Sequence, residues 1–338
     1  MLQIFQNLSL KKYNSFGIEA TAAYFLKVSS LQEIREFFSN EKWSSLPLFI
    51  LGGGSNILFT NNFAGVVMKI NCKEKIIVKE DEGNIFIKVG AGEIWHEFVL
   101  YCIENNFSGI ENLSLIPGCV GAAPMQNIGA YGVELKDVFF ELEAFIIDSG
   151  KVKKFSKEEC KFGYRESIFK NELKNKCIIL SVTFCLKKTP QFNTSYGAIE
   201  EELKKMNVSK LTIKSVSDAV CNIRKSKLPD PLIIGNAGSF FKNPTVTNEK
   251  FQNLKNEFPD IVAYKNESGM KLAAGWLIER AGWKGKKING YGVHQNQALV
   301  LVNYGGANGN DIFNLSQKIL DNIKEKFGVE LEREVNIV

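Results

Sequence analysis

Between residues 117 and 132 the chain carries few bulky side chains, and this depletion constrains its folding more than any other feature. The segment reads Pro-Gly-Cys-Val-Gly-Ala-Ala-Pro, one methionine, and then Gln-Asn-Ile-Gly-Ala-Tyr-Gly. Residues this small allow the backbone to approach another surface closely. We therefore expect the segment to lie against a large flat or extended ligand, with a tight turn that binds nothing as the alternative.

A second glycine-rich segment follows residues 48–51, an apolar run that predicts a buried strand. In residues 52–56, Gly-Gly-Gly-Ser-Asn, the backbone amides are unobstructed by side chains, and the serine and asparagine add polar groups. Such a turn can form an anion-binding nest. Neither segment contains the Gly-Lys-Ser/Thr of a P-loop, which disfavours nucleotide hydrolysis. The two loops together favour a long cofactor that contains a diphosphate.

Residues 235–244 place the hydroxyl of Ser239 between small residues and two phenylalanines, with a lysine and an asparagine close behind. The small residues allow a substrate to approach and the aromatic rings exclude water, so this serine is a candidate for chemistry. A glycine-rich strand end with a polar turn is the alternative interpretation.

Gly90-Ala91-Gly92 follows a predicted strand and precedes a predicted helix, like half of a dinucleotide-binding fingerprint. Trp95 occupies the position of the third glycine, where its bulk would prevent close packing of helix and strand. We therefore predict that the chain has no Rossmann nucleotide site.

The 338-residue length allows two or three domains of about 100–200 residues each. Hydrophobic content of 45% and charged content of 23% are typical of a soluble globular protein. The longest apolar runs have strand length, well short of the ~20 residues of a membrane span, and the N-terminus lacks the pattern of a signal peptide. We expect a cytoplasmic protein without a membrane partner.

Seven cysteines are scattered along the chain, and none forms C-x-x-C or has zinc-site spacing with a histidine. The sequence therefore predicts free thiols in a reducing compartment and no metal site. A net charge of +5 suits an anionic small molecule but is too weak and dispersed to indicate nucleic acid.

Turn residues and hydrophobic periodicity predict an α+β protein whose main boundary lies between residues 190 and 220. A capping box at Ser30 opens a helix that ends near residue 40, and Gly328 ends a helix that starts near residue 311. Hairpins are predicted to turn at residues 81–84 and 148–150. The other predicted elements are helices at residues 93–106, 248–258 and 271–281, a helix that ends near 227, and strands at 297–303 and 329–338.

Eight segments spread over almost the whole chain share their order and spacing with one known family. They are residues 14–17, 52–56, 116–132, 162–169, 227–231, 235–244, 271–278 and 332–335. In this combination the chain resembles the UDP-N-acetylenolpyruvoylglucosamine reductases, flavoenzymes that complete UDP-N-acetylmuramic acid for peptidoglycan. Residues 194–197, Thr-Ser-Tyr-Gly, look like the tyrosine loop of the type I branch.

The resemblance implies an FAD-binding half of the vanillyl-alcohol-oxidase (PCMH) type and a separate α+β substrate-binding domain. These would be residues 1–210, in two subdomains that divide near residue 72, and residues 211–338, whose last strand returns to the active site. The two glycine-rich segments would hold the pyrophosphate of noncovalent FAD and line its isoalloxazine. The implied FAD-binding residues are Gly52, Gly53, Gly54, Ser55, Asn56, Pro117, Gly118, Cys119, Gly121, Ala122, Ala123, Gln126 and Gly129.

The resemblance also implies two stages at one site. NADPH reduces FAD and leaves, and the enolpyruvyl ether of UDP-N-acetylglucosamine then takes hydride on its methylene carbon. Ser239 matches the general acid that protonates the neighbouring carbon. Arg165 matches the arginine that binds the substrate carboxylate, and Glu334 matches a glutamate that, protonated beside that carboxylate, donates a hydrogen bond to the developing charge. The implied substrate contacts are Tyr131, Tyr196, Lys227, Asn243 and Gln297.

Without the resemblance, the sequence leaves other roles for these residues open. Arg165 could pair with Glu166 at the surface. Glu334 could be an exposed strand residue that lies on the same face of the strand as Glu332. Arg333 stands where the family often has proline, and alternation along a strand predicts that its side chain faces away from both glutamates.

The nearest rival function is another noncovalent FAD oxidase or dehydrogenase of the same fold. Covalent flavin is disfavoured because the pyrophosphate loop has no histidine and His96 adjoins Trp95 on a predicted helix. A noncatalytic sugar-nucleotide-binding or RNA-binding protein is the more distant rival, since no RNA-binding signature is present. We expect a monomer that binds a small-molecule UDP-sugar and no nucleic acid.

Overall fold

The computed structural model describes residues 2–196, 198–266 and 268–338. Gly197, the last residue of the predicted tyrosine loop, lies outside the described residues. Within them the helices are α1 (Leu31–Phe38), α2 (Glu41–Ser44), α3 (Trp95–Glu104), α4 (Leu135–Val138), α5 (Ala198–Lys205), α6 (Ile213–Lys227), α7 (Asn248–Glu257), α8 (Ala274–Arg280) and α9 (Gly309–Phe327). Turns of 3-10 helix lie at Lys11–Tyr13, Glu111–Leu113 and Val120–Gln126.

Strands alternate with these helices along the described part of the chain. They are β1 (Ile4–Ser9), β2 (Thr21–Val28), β3 (Leu48–Leu51), β4 (Ile57–Leu58), β5 (Phe63–Ile70), β6 (Lys75–Glu80), β7 (Asn84–Gly90), β8 (Gly129–Ala130), β9 (Val133–Glu134), β10 (Phe139–Ile146), β11 (Lys151–Ser156), β12 (Cys177–Lys187), β13 (Gly235–Ser239), β14 (Thr245–Val246), β15 (Ala263–Asn266), β16 (Gly269–Leu272), β17 (Lys287–Ile288), β18 (Tyr291–Val293), β19 (Val300–Asn303) and β20 (Asn336–Ile337). The mixture of helices and sheets confirms the α+β class.

The first of two compact units takes its residues from the ranges Met1–Leu8, Ala22–Gly53 and Phe63–Ser226. It holds a sheet in the order β1-β2-β5-β3, in which β5 pairs in parallel with both β2 and β3, and an antiparallel sheet in the order β11-β10-β12-β7-β6. Alternate residues of the strands, such as Val66 and Met68, enter one core with residues of α1 and α3. The parallel pairing of β3 with β5 places the end of β3, which the glycine-rich residues 52–56 follow, beside β5.

The second unit takes its residues from Ser9–Thr21, Gly54–Asn62 and Lys227–Val338. It holds an antiparallel sheet in the order β13-β19-β18-β17, a smaller sheet β14-β16-β15, and a parallel pair β20-β4. α9 buries one stripe, including Ile312, Leu315 and Ile319, in the core of this unit. The strand that ends at Ser239 is therefore an edge strand of a sheet backed by a helix.

Several local predictions are confirmed. The Ser30 hydroxyl accepts a hydrogen bond from the Glu33 amide at 3.2 Å and begins α1, and α9 ends at Gly328, whose φ is 60°. Both predicted hairpins turn where the sequence places them, between β6 and β7 and between β10 and β11. The seven cysteines are free thiols.

Three predicted elements are wrong in their bounds. The strand predicted at residues 297–303 begins only at Val300. Residues 271 and 272 belong to β16, which pairs with β14 and β15, so α8 starts only at Ala274. Residues 329–338 form the short strand β20 and an isolated bridge between Arg333 and Phe241, rather than one continuous strand. β16 pairs with its hairpin neighbour β15 and also with β14, and Arg333 forms its bridge to Phe241, which is distant in the sequence. Hydrophobic periodicity does not reveal these pairings.

No helix within the described residues is long and apolar enough to cross a membrane. The assignment of residues 1–210 to FAD and of residues 211–338 to substrate stays a prediction, because it attributes functions to parts of the chain.

Candidate functional site

In the first unit the two glycine-rich segments pack directly against each other. A Cβ atom added to Gly53 would lie 2.6 Å from Cα of Gly118, and one added to Gly52 would lie 3.3 Å from Cβ of Ala122. A Cβ on Gly121 would lie 2.5 Å from Cβ of a further small residue, Ala91. The close approach predicted for these segments is therefore made, at these positions, to the chain itself.

Backbone hydrogen bonds fix the second loop ahead of the 3-10 helix Val120–Gln126. The Trp95 amide donates to the Gly118 carbonyl at 3.0 Å, and the Val120 amide donates to the Glu93 carbonyl at 2.9 Å. The turn at residues 90–95, in which Trp95 replaces the third glycine of the Rossmann fingerprint, thus anchors the loop of small residues.

The other FAD-binding candidates of this unit lie on or beside that 3-10 helix. The side chains of Cys119 and Ala123 are 6% and 1% exposed, so they fill the protein interior. Pro117 is exposed, Gln126 is half-buried, and Gly129 begins β8.

Lys69, which sequence reasoning missed, reaches both loops from β5. Its Nζ donates a hydrogen bond to the Gly52 carbonyl and lies 3.9 Å from Sγ of Cys119. Burial lowers the pKa of the Lys69 ammonium and raises the pKa of the Cys119 thiol. In the sequence, the feature that could have pointed to Lys69 is that it interrupts the apolar run of β5.

These residues fit the diphosphate of a dinucleotide cofactor. Gly52, Gly53 and Gly118 leave backbone without side chains at the place where the loops meet, and a half-buried ammonium lies beside it. Backbone amides together with a cation are the donor set that anionic phosphates prefer.

Arg165 lies in a tight turn that its neighbours close, since the Gly163 amide donates to the Glu166 carbonyl at 3.0 Å. Its φ is 57°, a left-handed conformation that costs a non-glycine residue about 1–2 kcal/mol. The guanidinium Nη2 donates to the Gly129 carbonyl at 2.7 Å. Strained backbone of this kind gathers at functional sites, which supports a role for the side chain.

Asn127, also missed, joins this turn to the glycine-rich segment. Its side chain is fully buried, its φ is 44°, and its Nδ2 donates to the Gly163 carbonyl at 3.0 Å. Its Oδ1 accepts from the Lys136 amide at 3.0 Å. Asparagine tolerates left-handed backbone better than most residues. An asparagine among small residues was therefore the feature of the sequence that could have indicated this role.

Tyr131 and Tyr196 are brought together, with ring centroids 6.0 Å apart and planes at 87°. Tyr131 has a φ of 50°, and the Asn112 amide group donates to its carbonyl at 2.9 Å. Burial raises the pKa of the Tyr131 hydroxyl, while the nearby Arg224 guanidinium acts in the opposite direction. Two of the predicted substrate contacts therefore form one aromatic pair in the first unit.

In the second unit a short antiparallel ladder joins the end of β13 to the C-terminal segment. The Glu334 amide donates to the Phe240 carbonyl at 2.8 Å, and the Lys242 amide donates to the Glu332 carbonyl at 2.9 Å. Ser239, at the end of β13, and Glu334, beside the bridge residue Arg333, are thereby held close together, and both side chains are half-buried. The backbone bonds of this segment thus bring the two catalytic candidates together.

The side chain of Arg333 turns toward α9, as alternation along the strand predicts. Its Nε donates to Oγ of Ser316 and its Nη2 to Oε1 of Gln317, each at 2.7 Å, and its guanidinium lies 4.5 Å from the ring centroid of Phe313. Glu332 instead pairs with the buried Lys242 at 2.6 Å. The prediction for Arg333 is confirmed.

Gly54, Ser55 and Asn56 belong to the second unit. A Cβ on Gly54 would lie 1.9 Å from the carbonyl oxygen of Tyr13, and the Asn56 amide group donates to the Glu334 carbonyl at 3.2 Å. Asn56 therefore helps to order the segment that contains the catalytic candidate Glu334, a contact that sequence reasoning missed.

The remaining substrate candidates of this unit lie at element ends. Lys227 is exposed at the end of α6. Oδ1 of Asn243 accepts from the Ala274 amide at 2.9 Å and so caps α8, and Oε1 of Gln297 accepts from the Leu299 amide at 3.4 Å just before β19.

His96 makes a structural hydrogen bond, because its Nδ1 accepts from the Leu115 amide at 3.0 Å. Burial lowers the pKa of this imidazole. Among residues 2–196, 198–266 and 268–338, no cluster of three or more His, Cys, Asp or Glu side chains could hold a metal ion.

Two family models match the chain. Residues 22–156 match the FAD binding domain, and residues 230–338 match the C-terminal domain of UDP-N-acetylenolpyruvoylglucosamine reductase. A crystal structure of the reductase from Thermus caldophilus superposes with a TM-score of 0.69 at 23% identity, covering 100% of this chain and 98% of that chain. This likeness shows a shared fold.

Curated relatives match over full length. A UDP-N-acetylenolpyruvoylglucosamine reductase of Flavobacterium johnsoniae is 50% identical over 100% of both chains. Proteins of the same name from Amoebophilus asiaticus and Pseudomonas putida are 51% and 46% identical, each over 98% of both chains.

Proposed function

The chain belongs to the UDP-N-acetylenolpyruvoylglucosamine reductase family, and we propose that Ser239, Arg165 and Glu334 carry its reductive step. The observation that carries this proposal is the ladder between residues 240–242 and 332–334, which holds Glu334 beside the strand that ends at Ser239. These backbone bonds fix the positions from which the side chains of Ser239 and Glu334 extend.

The activity is the NADPH-dependent reduction of UDP-N-acetylglucosamine enolpyruvate to UDP-N-acetylmuramate in peptidoglycan precursor synthesis. FAD, when bound, takes hydride from NADPH and supplies it to the methylene carbon of the substrate. We propose that residues 52–56 and 117–129 hold its pyrophosphate and flank its ring system, mainly through backbone groups.

Ser239 is proposed as the general acid. Gain of hydride at the methylene carbon leaves negative charge on the neighbouring carbon and its carboxylate, and the Ser239 hydroxyl gives its proton to that carbon. Glu334, in its protonated form, donates a hydrogen bond to the charge that develops on the carboxylate. Preorganised donors of this kind stabilise the transition state more than the ground state.

Arg165 is proposed to bind the same carboxylate through its planar guanidinium. Its left-handed backbone and its bond to the Gly129 carbonyl hold the side chain in one orientation. The proposed contacts to the rest of the UDP-sugar are Tyr131, Tyr196, Lys227, Asn243 and Gln297.

The test is an anaerobic stopped-flow experiment at the flavin absorbance with Ser239→Ala. NADPH should bleach the variant as fast as the wild type, whereas recovery of colour on adding the enolpyruvyl sugar nucleotide should slow by about 10²–10⁴-fold. Ser149→Ala, in the exposed turn between β10 and β11, should leave both phases unchanged.

Equal recovery rates in Ser239→Ala and the wild type would refute the role of this serine. Bleaching that only oxygen reverses, in the wild type itself, would favour another FAD oxidase of the same fold.

We further propose that the first 210 residues form the FAD-binding part and the remainder the substrate-binding part of a cytoplasmic monomer. The FAD binding match at residues 22–156 supports the first assignment. Sedimentation at micromolar concentration, with and without substrate, tests the monomer, and a mass of two chains would overturn it.

A further inference from the structure

Lys69 stands where two glycine loops and two other lysines converge. In the parallel sheet it is paired with Leu51 of β3 on one side and with Lys27 of β2 on the other. Its neighbours Met68 and Ile70 face the core of the first unit, so the Lys69 side chain points to the opposite face. Gly52 follows Leu51 directly, which brings the lysine to the first glycine loop.

The contacts of Lys69 are to neutral groups. Its Nζ donates to the Gly52 carbonyl and lies 3.9 Å from Sγ of Cys119 in the second loop. Among the residues that the structure describes, no carboxylate forms an ion pair with this ammonium, although the side chain is half-buried. A partly desolvated cation without a counter-charge is costly to maintain in a folded protein.

Neighbouring charges add to this cost. Burial is the main cause that lowers the pKa of the Lys69 ammonium. Cys119 acts in the opposite direction, and Lys27 and Lys73 each lower this pKa further. Like charges directly opposite on neighbouring strands destabilise a sheet. An anion bound beside Lys69 would offset both the burial and the repulsion.

We propose that Lys69 binds the diphosphate of FAD, supplying the positive charge that the glycine loops lack. This inference rests on the proposed function of those loops. The backbone amides around Gly52, Gly53 and Gly118 offer hydrogen bonds, and Lys69 offers the counter-charge at the point where the loops meet. Its bond to the Gly52 carbonyl also ties the first loop to β5.

The experiment compares FAD with riboflavin, which has the same ring system and no phosphate, in binding to the flavin-free protein by flavin fluorescence. Lys69→Gln removes the charge and keeps an N–H donor for the Gly52 carbonyl. We expect it to weaken FAD binding by about tenfold to a hundredfold, the usual range for a charge-assisted hydrogen bond, and to leave riboflavin binding unchanged. Lys69→Arg should remain close to the wild type, and Lys151→Gln, at an exposed position of β11, serves as the control.

Salt gives a second readout on the same samples. FAD affinity of the wild type should fall more steeply with ionic strength than that of Lys69→Gln, because screening acts on the charge that the variant lacks. Unchanged FAD affinity in Lys69→Gln, or an equal loss for FAD and riboflavin, would overturn the proposal and leave the flavin assignment intact. A wild-type protein that binds neither flavin would instead remove the assignment itself.

Discussion

The glycine loops of the first unit and β13 of the second unit, the proposed catalytic strand, use small residues for different purposes. At Gly53 and Gly121 a side chain would run into the backbone or Cβ atoms of other small residues, so the loops create a shape made of backbone. On the catalytic strand, Gly235 lies against the carbonyl of Phe16 in the same way, but Gly238 faces open space and has a φ of 70°.

This difference suits the loops to cofactor binding and the strand to the chemical step. The loops contribute backbone groups, so a change there should alter cofactor affinity and stability. Ser239 and Glu334 are the proposed reactive side chains on a hydrogen-bonded frame, so a change there should alter the rate of one half-reaction. A change in the loops should therefore leave the rate of the half-reaction unaltered, and a change at Ser239 or Glu334 should leave cofactor affinity unaltered.

After Ser239, the largest effect is expected at Glu334. Glu334→Ala should slow reoxidation of the reduced flavin by the enolpyruvyl sugar nucleotide by about 10²–10³-fold, the usual cost of removing a preorganised donor. Glu334→Gln should be slowed less, because its amide still donates a hydrogen bond. Stopped-flow absorbance measures both, and FAD affinity and the rate of bleaching by NADPH should not change.

Equal losses in the two Glu334 variants would show that the negative charge or the proton of the carboxyl group matters, rather than its hydrogen bond. A loss of FAD affinity in either variant would erase the distinction between the two regions.

A smaller effect is expected at Gly53. Gly53→Ala places Cβ 2.6 Å from Cα of Gly118, so the loops must separate, and the free energy of unfolding should fall by about 1–3 kcal/mol. Gly52→Ala is the matched control, because its Cβ would lie 3.3 Å from Cβ of Ala122, a contact that slight movement relieves. Denaturant unfolding and FAD titration should both rank wild type first, Gly52→Ala next and Gly53→Ala last. The opposite ranking of the two alanine variants would show that the loops do not rely on their backbone contact.

Much of the fold could be predicted because its signals are local. Ser30 with Glu33, Gly328, and the turn residues of the two hairpins act on their own segments, and each ends or begins an element where expected. The bounds of β16 and of the C-terminal segment could not be predicted. β16 bonds to β14 as well as to its hairpin neighbour β15, and the C-terminal segment bonds to residues far away in the sequence.

The candidate site divides in the same way. Its motifs predict Ser239, Arg165 and Glu334 as catalytic residues, and these roles stay predictions, whereas the comparisons confirm the family. Lys69, Asn127 and the Asn56 bond to Glu334 were missed, because their importance comes from what lies beside them in the fold. A lysine in a strand or an asparagine among glycines has no sequence signature of its own.

The smallest effect is expected at Arg333, which lies beside a catalytic candidate and contacts α9 instead. Arg333→Met keeps the aliphatic contact with Phe313 and removes two hydrogen bonds, to Ser316 and Gln317. The free energy of unfolding should fall by about 1 kcal/mol, since each bond contributes little net stability and one of them is exposed. Both flavin half-reactions should keep their wild-type rates, measured beside a denaturant curve, because the side chain faces away from Glu334. Slowing of the sugar-nucleotide step alone would mean that Arg333 positions the glutamate, and the catalytic strand would then depend on packing as strongly as the glycine loops do.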